Sequence, residues 1–400
     1  MKVVYFDFGE ARILYGSAAS MILGSNEVYI IRPNNKIQKV IKKRVEVVIG
    51  NSKKNEINSV EIIEIPVKFR VGSLASYVYN DSFALEDVLV KIKPHVIITG
   101  SNNWFLAKKI SKNLKIPLIF WDIVVPSLFK LSIFIKDAKI YSRLFTAPIG
   151  FIHTMFIGIF SDYIITNDIF TESIFKKMKI KTVRTVLPTY TKFVEENAYA
   201  EFLDQKKEDS NYLDISTKNY VMSLMTIDKS IPTYRIELKS LDFLKEVAIK
   251  LPDMNFVIVG ASILDLDEPD NYINIKNIHF LGKIYDDLQL SQIYKNAKCV
   301  LCPLYVPGFM NRLFEAFFYG KAIIATLLPK KYYPGLSSKN ILFVNGSDEA
   351  AEKIEQMNDS EIRKRIENGA IEYYNNYFSP EKHKGDMNEI FTYLGVNYDK

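Results

Sequence analysis

Short apolar runs rich in Val, Ile, Phe and Tyr recur along the whole chain and limit what it can fold into. In the first half they fall at residues 2–7, 27–32, 45–49, 60–67, 96–100, 117–121 and 162–166. The first run leads into a loop with Gly9 and Gly16 and then a stretch of small residues that reads as a helix, so the chain opens β-α-β. A further helix is expected at about 104–113. Near-continuous apolar runs alternating with helical segments mark strands buried on both faces, which predicts a parallel sheet covered by helices.

The pattern breaks once. Residues 194–218 turn acidic and polar, with Glu195, Glu196, Asp204, Glu208 and Asp209, and lose periodicity, so they read as a linker. Beyond it come strands at 220–225, 255–260, 278–282, 299–304 and 322–326, with helices at about 234–250, 286–297 and 311–319. The expected fold is α/β: two Rossmann-like domains, 1–193 and 219–379, facing a cleft between their carboxyl-end loops, where open α/β sheets bind ligands. Ser379-Pro380-Glu381 opens a last helix at about 380–400.

Composition agrees with this and removes other classes. At 400 residues the chain exceeds the roughly 150 expected of one domain. With 48% hydrophobic and 24% charged residues it is a packed globular chain, and disordered and low-complexity classes drop out. Two cysteines cannot make a disulfide framework, and Asp7 and Glu10 interrupt the apolar run a signal peptide needs, so a cytoplasmic location is expected. There is no G-x-G-x-x-G after the first strand and no P-loop, which disfavours dinucleotide oxidoreductases and P-loop NTPases. The four His (95, 153, 279, 383) are dispersed, without ligand spacing.

Several local patterns have plain explanations. Cys299 and Cys302 match C-x-x-C, but within a strand they point to opposite faces and read as core thiols. Asp265-Leu-Asp267 resembles a metal-holding D-x-D yet lies in an expected surface loop, so solvated carboxylates are favoured and no metal is expected. The 24 Tyr and 26 Phe sit mostly within apolar runs, so core packing outweighs nucleic-acid binding.

The net charge of +6 conceals an asymmetry. Residues 1–190 hold 27 Lys+Arg against 15 Asp+Glu, and the remainder holds 25 against 31, so the halves stand at +12 and −6. A basic half points to an anionic partner. Lys130, Lys136, Lys139 and Arg143 lie directly before residues 144–161, eighteen positions without a formal charge. A buried core helix, an interfacial helix and a membrane span all match this run. A span would cut the first domain in half, and the functional reading is peripheral contact with an anionic membrane surface.

The segment 307–326 carries the most chemistry. A loop with Gly308 precedes a helix opened by Asn311, and loop amides with the positive end of a helix dipole make an anion site. Arg312 and Glu315, three apart, share a helix face and offer a cation and a carboxylate to one ligand. A carboxylate would repel phosphate, so Glu315 suits sugar hydroxyls, and together these describe a site for a phosphate attached to a polyol.

This segment resembles the signature of GT-B glycosyltransferases of family 4, E-x-F-G-x-x-x-x-E-A followed by a G-K/R-P-V-V-A-T strand. Glu315, Ala316, Gly320, Lys321, Ile323, Ile324 and Thr326 fall in step, and Gly308 and Phe309 match the loop. Upstream, residues 239–244 and 251–260 resemble the family's K-G-x-x-x-L and L-P-D-x-x-L-x-I-V-G, and 277–282 its N-V-x-F-L-G.

The resemblance implies a retaining transferase that uses a UDP- or GDP-sugar as donor, needs no metal cofactor, and acts on a glycan or lipid-linked acceptor. It implies that Arg235 and Lys239 bind the donor diphosphate and stabilise its departure, and that Gly308, Phe309, Met310, Asn311, Arg312 and Leu313 meet sugar and phosphate. Glu315 would hold the ribose, and the main chain at Gly282 and Lys283 would read the base. Gly9, Arg12 and Gly16 would approach the diphosphate from the first domain, Asp122 would stand on the acceptor side, and the final helix would cross back onto the first domain. Pro307 replaces the family's first signature Glu, and Trp121 its frequent His. Two rivals stay open: a non-catalytic subunit with this fold, and a sugar-nucleotide epimerase.

Overall fold

The computed structural model describes residues 1–6, 27–34, 39–49, 56–68, 78–79, 82–100, 104–122, 159–180, 182–186, 191–192, 219–227, 229, 234–284, 287–305 and 311–396. It divides into two compact units, Met1–Lys192 with Tyr377–Lys400, and Phe193–Asn376. The expected linker, 194–218, lies outside the described residues, as does most of the basic and uncharged stretch at 123–158.

The first unit runs β1 (Lys2–Phe6), β2 (Glu27–Asn34), β3 (Ile41–Ile49), β4 (Glu56–Lys68), β5 (Val78–Tyr79), α1 (Ser82–Ile92), β6 (Val96–Thr99), α2 (Trp104–Leu114), β7 (Leu118–Asp122), β8 (Tyr163–Thr166), α3 (Ile169–Lys177), β9 (Val183–Thr185) and β10 (Thr191–Lys192). The sheet order is β10-β3-β4-β2-β1-β6-β7-β8-β9, with β5 against β4. From β1 the chain builds outward through β2 and β4, then returns to start β6 on the other side of β1, so the order reverses between β1 and β6. Val96–Thr99 is buried at every position, as both-face coverage requires. One face packs Val4, Ile97, Leu118 and Phe120 against Leu85, Leu89, Ala107 and Ile110 of α1 and α2.

The sheet is not wholly parallel. β3 pairs antiparallel with β4, from Ile41 opposite Glu64 to Ile49 opposite Glu56. Only residues 50–55 separate the two strands, too few for a parallel crossover, which needs a dozen or more. Lys42 pairs with Glu61 and Lys43 with Glu64 across this hairpin, so part of the first half's positive charge is matched locally.

The second unit runs β11 (Tyr220–Leu224), α4 (Tyr234–Lys250), β12 (Phe256–Val259), α5 (Asp270–Ile273), β13 (Ile278–Gly282), α6 (Asp287–Asn296), β14 (Ala297–Cys302), α7 (Asn311–Phe318), β15 (Ile323–Thr326), β16 (Leu342–Val344), α8 (Ser347–Gln356) and α9 (Ser360–Tyr377). Every strand pair is parallel, in the order β13-β12-β11-β14-β15-β16. Leu241, Leu244, Val247 and Ala248 recur at helical spacing on α4 and pack with Ala350, Ala351 and Ile354 of α8 over Val221, Ile258, Leu301 and Ile324.

The last helix, α10 (Pro380–Tyr393), belongs to the first unit. Ser379 caps it by accepting from the Lys382 amide, with Pro380 at its first position. Its His383 stacks on Trp121 of β7, ring centroids 5.8 Å apart, and its Asp386 and Glu389 both pair with Arg184 of β9. No helix among the described residues is long and apolar enough to cross a membrane.

Candidate functional site

The second sheet has the order 3-2-1-4-5-6, and it reverses between β11 and β14. In open α/β sheets the carboxyl ends of the two strands flanking such a reversal leave a crevice in which ligands bind. The helix after β11 is α4 and the helix after β14 is α7, so both begin at this crevice. Arg235, Lys239 and residues 308–315, singled out from sequence, all belong to these two connections.

A buried ion pair joins the two helix starts. Arg312, the second residue of α7, donates from Nη2 to Oε1 of Glu237 in the first turn of α4, at 2.6 Å. The side chains are only 14% and 7% exposed. Two positive helix ends thus meet beside one strand reversal, which concentrates partial positive charge where an anion can be held.

Around this pair the residues separate by role. Arg235 and Lys239, one turn apart, are exposed and turn away from the buried Glu237 side of α4. Glu315 is buried on α7, one turn beyond Arg312. Leu313 is 2% exposed, its side chain packed in the core. One nitrogen of the Arg312 fork is engaged by Glu237. Asn311 opens α7, with its side chain undescribed, and Gly308, Phe309 and Met310 lie outside the described residues.

The main chain at the neighbouring strand ends is tightly tied. Gly260 donates to the carbonyl of Gly282 at 2.7 Å, Gly282 donates to Ala261 at 3.1 Å, and Met225 donates to Val259 at 2.9 Å. Gly260 has φ +91°, and a Cβ there would lie 2.4 Å from the Met225 carbonyl oxygen, so only glycine fits. Gly282 has φ +72° with nothing within 4 Å of its Cβ position, leaving room beside its hydrogen-bonded main chain for a flat group. Lys283 beside it is exposed. On the other side, Thr326 Oγ1 donates to the Leu304 carbonyl at 2.7 Å and accepts from its amide at 3.0 Å, fixing the exit of β14.

Other members of the signature are structural. Gly320 leaves α7 at φ +62°, as a helix C-terminus requires, and Lys321 pairs with Glu367 at 3.5 Å. Asp265 accepts from the Ser262 amide in a capping box, and Asp267 pairs with the exposed Lys229 at 3.0 Å, so both carboxylates have local work. Cys299 and Cys302 are buried in β14, and burial pushes both thiols up to about 12.

In the first unit, Gly9, Arg12 and Gly16 lie outside the described residues. Asp122 ends β7, its side chain undescribed. Trp121, in place of the family's His, is wholly buried and donates from Nε1 to Asn167 Oδ1 at 2.6 Å, just past β8. Sequence reasoning placed Thr326 in the signature but missed Glu237 as part of the site framework. For Glu237 no sequence signal existed, because its partner is 75 positions away.

Comparison with known proteins follows the same division. Residues 233–359, which contain α4, α7 and the strand ends between them, match the family model "Glycosyl transferases group 1". No curated protein matches the sequence significantly. Sucrose-phosphate synthase from Thermosynechococcus elongatus is 14% identical, with a TM-score of 0.65 over 99% of each chain. HepE from Anabaena, solved in complex with UDP and glucose, is 14% identical, with a TM-score of 0.59 over 98% of this chain and 99% of that one. UDP-GlcNAc 2-epimerase from Methanocaldococcus jannaschii is also 14% identical, with a TM-score of 0.54 over 98% and 99%. The chain therefore has the GT-B fold, and its second unit is similar to the glycosyl transferases group 1 domain.

Proposed function

We propose that this chain is a nucleotide-sugar-dependent glycosyltransferase, moving a sugar from a UDP- or GDP-sugar to a glycan or lipid-linked acceptor with retention. The observation that carries this reading is the meeting of α4 and α7 at the strand reversal of the second sheet. Arg312 joins their first turns there, with Glu315 one turn further along α7 and Arg235 and Lys239 on the exposed face of α4. A departing diphosphate develops negative charge on its oxygens, and fixed cations with helix-end amides stabilise that charge. Glu315 then accepts from ribose hydroxyls, and the main chain at Gly282 and Lys283 faces the base. With the phosphate deprotonating the acceptor on the same face, no protein nucleophile is required. By the family resemblance alone, Asp122 is assigned to the acceptor side and Gly9, Arg12 and Gly16 to the donor diphosphate. The basic, apolar region 128–160 is proposed as the contact with an anionic membrane surface.

The test is incubation of the pure protein with UDP-, GDP- and ADP-sugars, with and without lipid or glycan acceptors. Acceptor-dependent nucleotide release is expected, and EDTA should leave it intact. Epimerised donor without acceptor would assign the chain to the chemistry of the epimerase neighbour, and binding without turnover would make it a non-catalytic subunit. Glu315→Gln should leave the melting curve in place and lower donor affinity, because a neutral amide replaces a charged acceptor of the same shape.

A further inference from the structure

The pair between Glu237 and Arg312 is placed against its own stability. Arg312 lies in the first turn of α7, where the helix dipole disfavours a cation. Both ions have left water, and the second carboxylate oxygen of Glu237, Oε2, is buried without a hydrogen bond among the described residues. An apolar pair of similar volume would join α4 to α7 at least as well. What the ion pair supplies instead is direction. Glu237 takes Nη2 of a planar, rigid fork, and the remaining N–H donors of Arg312 are thereby aimed. A weakly hydrated guanidinium, held still where two helix N-termini meet, is a receptor for phosphate oxygens.

Resting on the donor reading above, we propose that Glu237 is a positioning residue for the donor phosphates: it touches no substrate and acts by holding Arg312 in its phosphate-binding direction. Phosphate affinity then depends on a carboxylate that is itself repelled by phosphate.

The experiment is titration of the full chain with UDP, GDP and ADP, and with the nucleoside of whichever diphosphate binds. Glu237→Gln should lose at least about tenfold in diphosphate affinity, the scale of one charge-assisted hydrogen bond, while nucleoside affinity stays at the wild-type value. The double variant Glu237→Leu with Arg312→Met replaces the ions by an apolar pair, and should show the same selective loss with the wild-type circular dichroism spectrum. Equal losses for nucleoside and diphosphate would mean a merely structural pair and overturn the proposal, as would undiminished diphosphate affinity in either variant. A wild-type chain that binds no nucleoside diphosphate would instead remove the donor reading itself, and the proposal with it.

Discussion

Arg235 and Lys239 stand one helical turn apart on α4, exposed, while Glu237 between them is buried against Arg312. The helix thus presents two outward cations beside an inward carboxylate that is already matched. Removing either cation deletes a charge-assisted contact of about 1.5–3 kcal/mol. Arg235→Ala and Lys239→Ala are each expected to lower turnover at least about tenfold, measured as acceptor-dependent nucleotide release. Wild-type turnover in the double variant would mean that both only solvate the helix. Lys239 and Glu315 were singled out in the sequence because each sits at fixed spacing from its neighbours in a segment that resembles the family. Glu237 was not, because one acidic residue in a helical first turn looks like any other until the fold brings Arg312 to it.

At the scale of the element, two strand ends beside the candidate site turn through glycine. Gly260 and Gly282 both have left-handed backbone, but only Gly260 has a carbonyl oxygen where a Cβ would go. A left-handed conformation costs an L-residue about 1–2 kcal/mol. Gly282→Ala should therefore lower stability by about that amount. Gly260→Ala should cost more, because Met225 and the ladder to Val259 must also shift. Equal shifts in melting temperature for the two would show that the Gly260 junction relaxes freely. The hairpin of β3 and β4 carries a related lesson. Apolar runs announced two strands, but their direction was set by the short connection between them.

The whole molecule carries its charge unevenly, +12 in the first 190 residues and −6 in the rest. Lys42 and Lys43 are matched across their hairpin, whereas Lys130, Lys136, Lys139 and Arg143 precede an uncharged run. Each cation at an anionic surface contributes about 1 kcal/mol, screened over about 8 Å at physiological ionic strength. The full chain is therefore expected to float with anionic vesicles at low salt, and to release from them as salt rises. Equal, negligible flotation with neutral and anionic vesicles would return this segment to a core helix. Binding that survives both high salt and alkaline carbonate would instead indicate a membrane span.

The α/β class and the two repeats of strand and helix were determined by the sequence, because burial on both sheet faces writes itself as runs such as Val96–Thr99 and Phe256–Val259. The sequence also singled out candidate segments, since Asn311, Arg312 and Glu315 lie within one helix. Strand order was decided only by the tertiary structure. Nothing local says that β14 returns to the side of β11 away from β12, and it is this return that sets the start of α7 beside the start of α4. The pairing of Glu237 with Arg312 has the same origin. Spacing reports contacts within a helix or strand, whereas contacts between elements depend on which hydrophobic faces find each other.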